Sequence, residues 1–433
     1  MTVTTDETPP LPDEPLTAPA VPGRLHPVLA WLTRLAESLV VPALALVTAL
    51  AVGAMVIIAS NPDTVDLSRQ VNVTRLVVGG AAVVVGIVFR RRWFGVPLVL
   101  VGMAVMLAMI EAYQALWDTS LGDQAAISRT LVEATPLAFT GLSVALAFRA
   151  GLFNIGAAGQ LIIGATCAGW VGFTWDLPRA IHVPAAIVAG FLGGALWGYI
   201  AGLLKARTGA HEVITTIMLN YVAYYLLDYA LRSDSFQRSG RNDPISKPVV
   251  GSARLPEVTV ADLTLHAGLF LALAAACLVW WLLGRSTVGF RMRTIGANPF
   301  AGRYAGMNVG RTYMLAMFLA AGLAGLAGAS NILSRDSFSL TPRYYSELGF
   351  DGIAVALLGR ANPAGVVGAS LLFGVLRSGS TGMQVQTSIP VDIIVVIQAL
   401  IIMFVAAPAL VRAIYQVRAG RATEQAFTTN WGA

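Results

Sequence analysis

Long apolar runs broken by short polar stretches recur along this chain, at about 38–59, 73–89, 95–113, 131–148, 154–174, 183–204, 213–231, 266–284, 312–333 and 390–411. Each run is close to the ~20 residues that a helix needs to cross the hydrocarbon core of a bilayer. The pattern predicts an all-α polytopic membrane protein with about ten transmembrane helices. One further apolar region, 349–379, is interrupted at Gly359-Arg360-Ala361-Asn362-Pro363, which leaves two short halves. Such a piece fits a re-entrant hairpin, whose free backbone groups are tolerable only against protein or a wet cavity. A tight pair of full crossings is the competing reading, and both return the chain to the side it left.

Composition supports the same class. A chain of 433 residues that is 56% hydrophobic and 12% charged, with mean hydropathy +0.70, cannot hide its apolar surface in one soluble core. Residues 1–23 are rich in Pro, Thr and acids and are expected to be a disordered tail. They lack the basic and apolar regions of a signal peptide. The transmembrane domain is expected over 24–411, followed by a tail at 412–433. Cys167 and Cys277 sit in apolar runs without metal or disulfide spacing and read as packing residues.

Basic residues set the orientation. Arg24 and Arg34 precede the first run, Arg90-Arg91-Arg92 follow the second, Lys205 and Arg207 follow the sixth, and Arg412, Arg418 and Arg421 follow the last. These ends are expected in the cytoplasm, together with both termini. The 232–265 loop carries five basic residues, but it is long and holds Asp234, Asp243, Glu257 and Asp262, so it is placed outside. It is also too short for an independent fold without a metal or disulfides.

The source of energy is the next constraint. The only lysines, Lys205 and Lys247, precede Ala206 and Pro248, so no phosphate-cradling G-x-x-x-x-G-K-[ST] loop is present. The acids in or near spans, Glu111, Glu133, Glu212, Asp228, Asp351 and Asp392, fall mostly at span ends, where helix capping explains them. Coupling from outside the chain is therefore expected rather than an ion-coupled carrier or a channel. Arg285 to Arg311, RSTVGFRMRTIGANPFAGRYAGMNVGR, is basic without an acid, and Ala297-Asn298-Pro299 reads as a turn and helix start before Phe300-Ala301-Gly302-Arg303-Tyr304-Ala305. A short helix of this kind suits docking in a partner's groove. An ordinary basic loop held by anionic headgroups is the alternative.

This segment resembles the coupling loop of permease subunits of ABC importers for nucleosides and simple sugars. The residues that carry the likeness are Thr287, Gly289, Arg293, Ile295, Gly296, Asn298, Pro299, Ala301, Tyr304, Ala305 and Gly306. Three more blocks are similar to the same family: Gly151-Leu152-Phe153-Asn154-Ile155-Gly156 through Gln160, Glu212 through Tyr221, and Gly349 through Gly359. Together they cover about 130–411. The pattern usually reads N-I-G-A-E-G-Q and N-E-V-I, and this chain departs from it at Ala158 and His211.

The resemblance implies a bacterial cell-membrane importer of nucleosides, with purine nucleosides first and simple sugars such as ribose, galactose or inositol as the alternative. It implies no catalysis and no cofactor in this chain, since ATP and magnesium would bind a separate tandem ATPase. The other implied partners are a second, homologous permease and an extracytoplasmic solute-binding lipoprotein. Membrane lipids surround the assembly, and nucleic acid has no part in it. Arg293, Gly296, Asn298, Pro299, Ala301, Gly302, Arg303 and Tyr304 would carry the contact with the ATPase.

Candidate residues for the solute path are uncharged amides. On a helix over 154–174, Gly156, Gln160 and Gly164 share one stripe, so a neighbour or solute can approach Gln160 closely. Asn154 would face elsewhere unless the chain breaks near Gly151 or Gly156, which glycine makes easy. An amide offers both donor and acceptor to a neutral, hydroxyl-rich solute. Tying helices together is the alternative role. Asn220 and Asp351 are further lining candidates, whereas Glu212 suits a helix start and Tyr221, Tyr224 and Tyr225 an outer aromatic belt.

Overall fold

In the computed structural model of the protein, the described residues are 44–50, 52–53, 110–260, 263–334, 338–342, 346–387 and 392–406. The tails at 1–23 and 412–433, the span at 73–89 and most of those at 38–59 and 95–113 lie outside them. Helices dominate what is described: α1 Ile110–Leu121, α2 Gln124–Arg149, α3 Ala157–Thr174, α4 Arg179–Thr208, α5 Glu212–Leu231, α6 Ala267–Arg285, α7 Thr287–Ala297, α8 Pro299–Tyr304, α9 Val309–Ser334, α10 Ser346–Leu358, α11 Pro363–Thr387 and α12 Asp392–Ala406. The protein is an all-α polytopic membrane protein. Of the described helices, α2, α3, α4, α6 and α9 are long and apolar enough to cross a membrane by length and composition.

The core is a close-packed trio, α3, α4 and α9. Small residues permit it: a side chain at Gly164 would lie 2.3 Å from Gly325 Cα, and one at Gly194 would lie 2.7 Å from the same atom. Without a water-driven effect between helices in lipid, such backbone approach is what holds them together. Around this trio, α2 is buried along most of its length by α9, α10 and α11, and α1 packs on α11. Helical residues 44–50 share a second apolar cluster with α12, where Ala45 and Ala49 meet Ile393, Ile397 and Ile401.

The interruption at Gly359 to Asn362 falls where the sequence places it. Arg360 and Ala361 both take positive φ, 53° and 49°, a region costly for non-glycine residues. Four backbone hydrogen bonds hold the reversal, among them Ala361 N–H to Ala356 C=O at 2.8 Å, and Arg149 Nε donates to Ala361 C=O at 2.9 Å. The halves are not both short, however. The helix α10 has 13 residues and α11 has 25, about 20 Å and 38 Å at 1.5 Å per residue. The second half continues through Arg377, Ser378, Ser380 and Gln384, which lower its hydropathy and hide its length from an apolar-run reading.

The 232–265 loop does not stand apart. Val249 N–H donates to Phe338 C=O, Val250 N–H to Gly172 C=O and Leu255 N–H to Leu333 C=O, so it folds across the ends of α3 and α9. Arg254 lies over the Phe338 ring at 3.9 Å. A two-stranded antiparallel hairpin follows, β1 Glu257–Val260 with β2 Leu263–His266, in the register Glu257 to His266. The helical periodicity of the chain carries no sign of it.

Candidate functional site

Helix α2 ends in a Schellman turn. Gly151 N–H donates to Phe148 C=O and Leu152 N–H to Ala147 C=O, while Gly151 takes φ +72°. Residues 152–156 then run without regular structure, and α3 begins only at Ala157. The break near Gly156 brings Asn154 back over the first turn of α3. There Asn154 Nδ2 donates to Gln160 Oε1 at 2.9 Å, Gln160 Nε2 donates to Asn154 Oδ1 at 3.0 Å, and Gly156 N–H also donates to Asn154 Oδ1. Both amides are buried, at 0% and 1% exposure.

Asn220 closes the arrangement from α5. Its Oδ1 accepts from Gly159 N–H at 2.7 Å, one of the donors a helix N-terminus leaves free, and its Nδ2 donates to Ile155 C=O at 2.9 Å. Glu212, at the start of α5, pairs with Lys205 and accepts from Phe153 N–H at 3.5 Å. These bonds tie the start of α5 to the end of α4 and to the chain leading into α3. His211 is the residue just before that helix and has no side-chain cap bond.

The depth of this knot matters more than its bonding. Gly352 of α10 faces Thr140, and Gly349 touches the backbone of Ala158. Thr140 is nine residues before Arg149, about 14 Å along α2. The N-termini of α3 and α10 therefore meet near the middle of the bundle, and residues 152–156 lead to the first of them without regular structure. Discontinuous helices whose N-termini converge at mid-depth are a recurring construction of solute sites in transporters. Ala158 is where they touch, so the small side chain that departs from the family pattern permits that approach.

Asp351 lies elsewhere. Arg377 of α11 donates to it at 2.8 Å, and the same guanidinium lies 3.5 Å from Glu133 of α2 and 3.9 Å from Glu347. Asp351 thus joins a charge cluster of α2, α10 and α11 rather than the amide knot. Arg377, which the sequence reading did not single out, is the centre of that cluster. The tyrosines differ from expectation too: Tyr221 is the tenth of the twenty residues of α5, near its middle rather than in a belt at its end.

The predicted coupling segment forms α7 and α8. Asn298 caps α8, its Oδ1 accepting from Phe300 and Ala301 N–H at 2.9 and 3.0 Å, and Pro299 fills the first turn. Gly302 packs inward on Ile295, while Arg293, Ala301, Arg303 and Tyr304 point out, Tyr304 at 95% exposure. Gly296 sits directly under the Schellman turn, where an added Cβ would lie 2.4 Å from Arg149 C=O and 2.8 Å from Gly151 N. Two sequence blocks far apart in the chain thus meet backbone to backbone.

The model of the branched-chain amino acid transport system / permease component family matches residues 126–406. The chain belongs to this family. The permease is 39% identical to a guanosine ABC transporter permease protein of Bacillus subtilis, over 70% of this chain and 88% of that protein. It is 36% identical to a nucleoside ABC transporter permease protein of Lactococcus lactis, over 71% and 87%, and 34% identical to a glucose ABC transporter permease protein of Haloferax volcanii, over 68% and 80%. In the first two organisms a second permease of the same description also matches, at 26% and 27% identity. No solved structure matches the permease. Its membrane location and noncatalytic subunit class follow from the family and the apolar helices.

Proposed function

We propose that this permease takes up nucleosides, purine nucleosides first, as the membrane subunit of an ATP-driven importer in a bacterial cell membrane. The observation that carries this reading is the likeness to guanosine and nucleoside permeases over most of both chains, on a structure whose discontinuous helices meet at mid-depth. The 34% identity to a glucose permease supports a sugar as the second reading. A tandem ATPase holding ATP and magnesium, a second homologous permease and a solute-binding lipoprotein complete the assembly. Arg149, Lys205, Arg285 and Arg303 gather at one end of the bundle, which is cytoplasmic by their charge.

The mechanism runs through the Gly151–Gly296 contact. The ATPase grips Phe300, Arg303 and Tyr304 of α8, and movement of α7 is passed through Gly296 to the turn that holds Asn154. At rest the amides bond to each other and to Asn220. As the helix ends separate, they exchange those partners for the hydroxyls and ring atoms of the solute, which is neutral and bound loosely enough to leave. Reconstituting the permease with an ATPase, a second permease and a solute-binding lipoprotein from the same organism tests this. ATP-dependent uptake of guanosine, unaffected by excess glucose, is expected; uptake of glucose alone would establish the sugar reading instead.

A further inference from the structure

Helix α5 is exposed differently from its neighbours. On α4 the exposed stripe is aliphatic, Val188, Leu192, Leu196, Ile200 and Leu204, at the spacing of one helix face. Hydrocarbon accepts such a face without penalty. On α6, Trp280 and Trp281 stand five and four residues before Arg285, the depth of a headgroup belt. On α5 the exposed face holds Tyr221, Tyr225 and Tyr229, exposed by 59%, 67% and 76%, beside the aliphatic Ile214, Met218, Val222 and Leu226. The tyrosines follow each other at four-residue spacing, about 6 Å per step, starting beside Asn220 and climbing away from the basic end.

None of these three hydroxyls has a hydrogen-bond partner among the described residues. Against lipid, the phenols of Tyr221 and Tyr225, inside the span, would each leave a donor without an acceptor, whereas Tyr229 stands three residues before Arg232 at the end of α5. Water or a hydroxylated solute removes that cost. Tyr225 is also held in orientation, since Tyr224 packs edge-on against it with centroids 5.5 Å apart and planes at 77°. Asn220, one residue before Tyr221, ties the lower end to the N-terminus of α3.

We infer that the tyrosine ladder of α5 is one wall of the solute path and takes a flat heteroaromatic ring by stacking. The inference rests on the nucleoside reading above and adds the surface that would recognise the base. One base–ring stack changes affinity by roughly 5- to 150-fold, weak enough for release. Repeated every ~6 Å, it offers successive stations of similar strength, as conduction requires. The amides then handle the sugar hydroxyls and the ladder the base.

The test uses the complete transporter with Cys167 and Cys277 replaced, and single cysteines at Tyr221, Tyr225 and, as a lipid-facing control, Leu196. A membrane-impermeant thiol reagent applied to membranes open on both sides should label the first two and spare the third, and guanosine should slow the labelling. No labelling at either tyrosine position overturns the wall, whether the face meets lipid or, as a cross-link to the second permease would show, protein. Labelling does not depend on solute identity, so a transporter that fails to import guanosine but is labelled sinks the nucleoside reading and base stacking while leaving the wall. In a transporter that does import guanosine, Tyr225→Phe should keep KM within twofold and Tyr225→Leu should raise it at least fivefold. Equal loss in both would overturn stacking in favour of the hydroxyl.

Discussion

Asn154 and Gln160 are joined by two hydrogen bonds in a fully buried setting, so each is the other's complement and neither tolerates an apolar replacement. Gln160→Leu strands the Nδ2 donor of Asn154, whose Oδ1 keeps its bond from Gly156 N–H, a cost of about 1–3 kcal/mol, and removes the group offered to the solute. Uptake per assembled transporter should fall strongly in Gln160→Leu, while Gln160→Glu, which keeps the shape and an acceptor, should retain part of it. Normal uptake per assembled transporter in Gln160→Leu would leave the pair a purely structural fastening. The choice of these two residues was open to sequence reasoning because amides are conspicuous in an apolar run. Their pairing depended on a break that glycine permits but does not dictate. Asp351 shows the converse: its partner Arg377 is 26 residues away in the chain, beyond any local pattern. Arg377→Ala leaves Asp351, Glu133 and Glu347 facing one another. With about a quarter of these groups' surface still wet in three of the four, the loss should be on the order of 2 kcal/mol, below that for a fully buried pair. It should appear as a lower melting temperature of the purified complex.

Between elements, the contact of Gly151 with Gly296 is the narrowest link from the α7–α8 segment to the amide knot. Any Cβ at Gly296 collides with the backbone of Arg149 to Gly151, so Gly296→Ala must separate α7 from the turn. ATP hydrolysis that persists while uptake falls is the expected outcome, read in the same proteoliposomes. Arg303→Glu acts further out. Its side chain is exposed, so the protein should reach the membrane in normal amount yet lose co-purifying ATPase; retention of both ATPase and uptake would exclude α8 from docking. Helix starts and turns such as Asn298-Pro299 were legible because capping chemistry is local. The length of α11 and the hairpin of β1 and β2 were not. In the first, Arg377 is paired with Asp351 of α10 and Glu133 of α2, and Ser380 donates to Arg377 C=O within the helix; in the second, strand pairing is stabilised by docking, where Ser128 of α2 donates to Thr264 C=O.

Over the whole molecule, the two ends of the bundle differ in what covers them. Arg149, Lys205 and Arg285 lie at the end where α2, α4 and α6 finish, and the folded 232–256 loop, with bases and acids mixed, covers the ends of α3 and α9 at the other. The reversal at Gly359 to Asn362 is tied to Arg149 and so lies at the basic end, which sends α11 back toward the loop side. Single cysteines replacing Arg241 in the loop and Gln384 near the end of α11 should therefore react together with an impermeant thiol reagent added outside intact cells. One replacing Tyr304 should react only after the membrane is opened. Because α10 and α11 form one hairpin, labelling of Arg241→Cys without Gln384→Cys would mean that α11 does not return, and the meeting of α3 and α10 at Ala158 would then have no common depth. Joint labelling keeps both helix N-termini at the middle of the bundle, the one place from which a solute can be passed to either side.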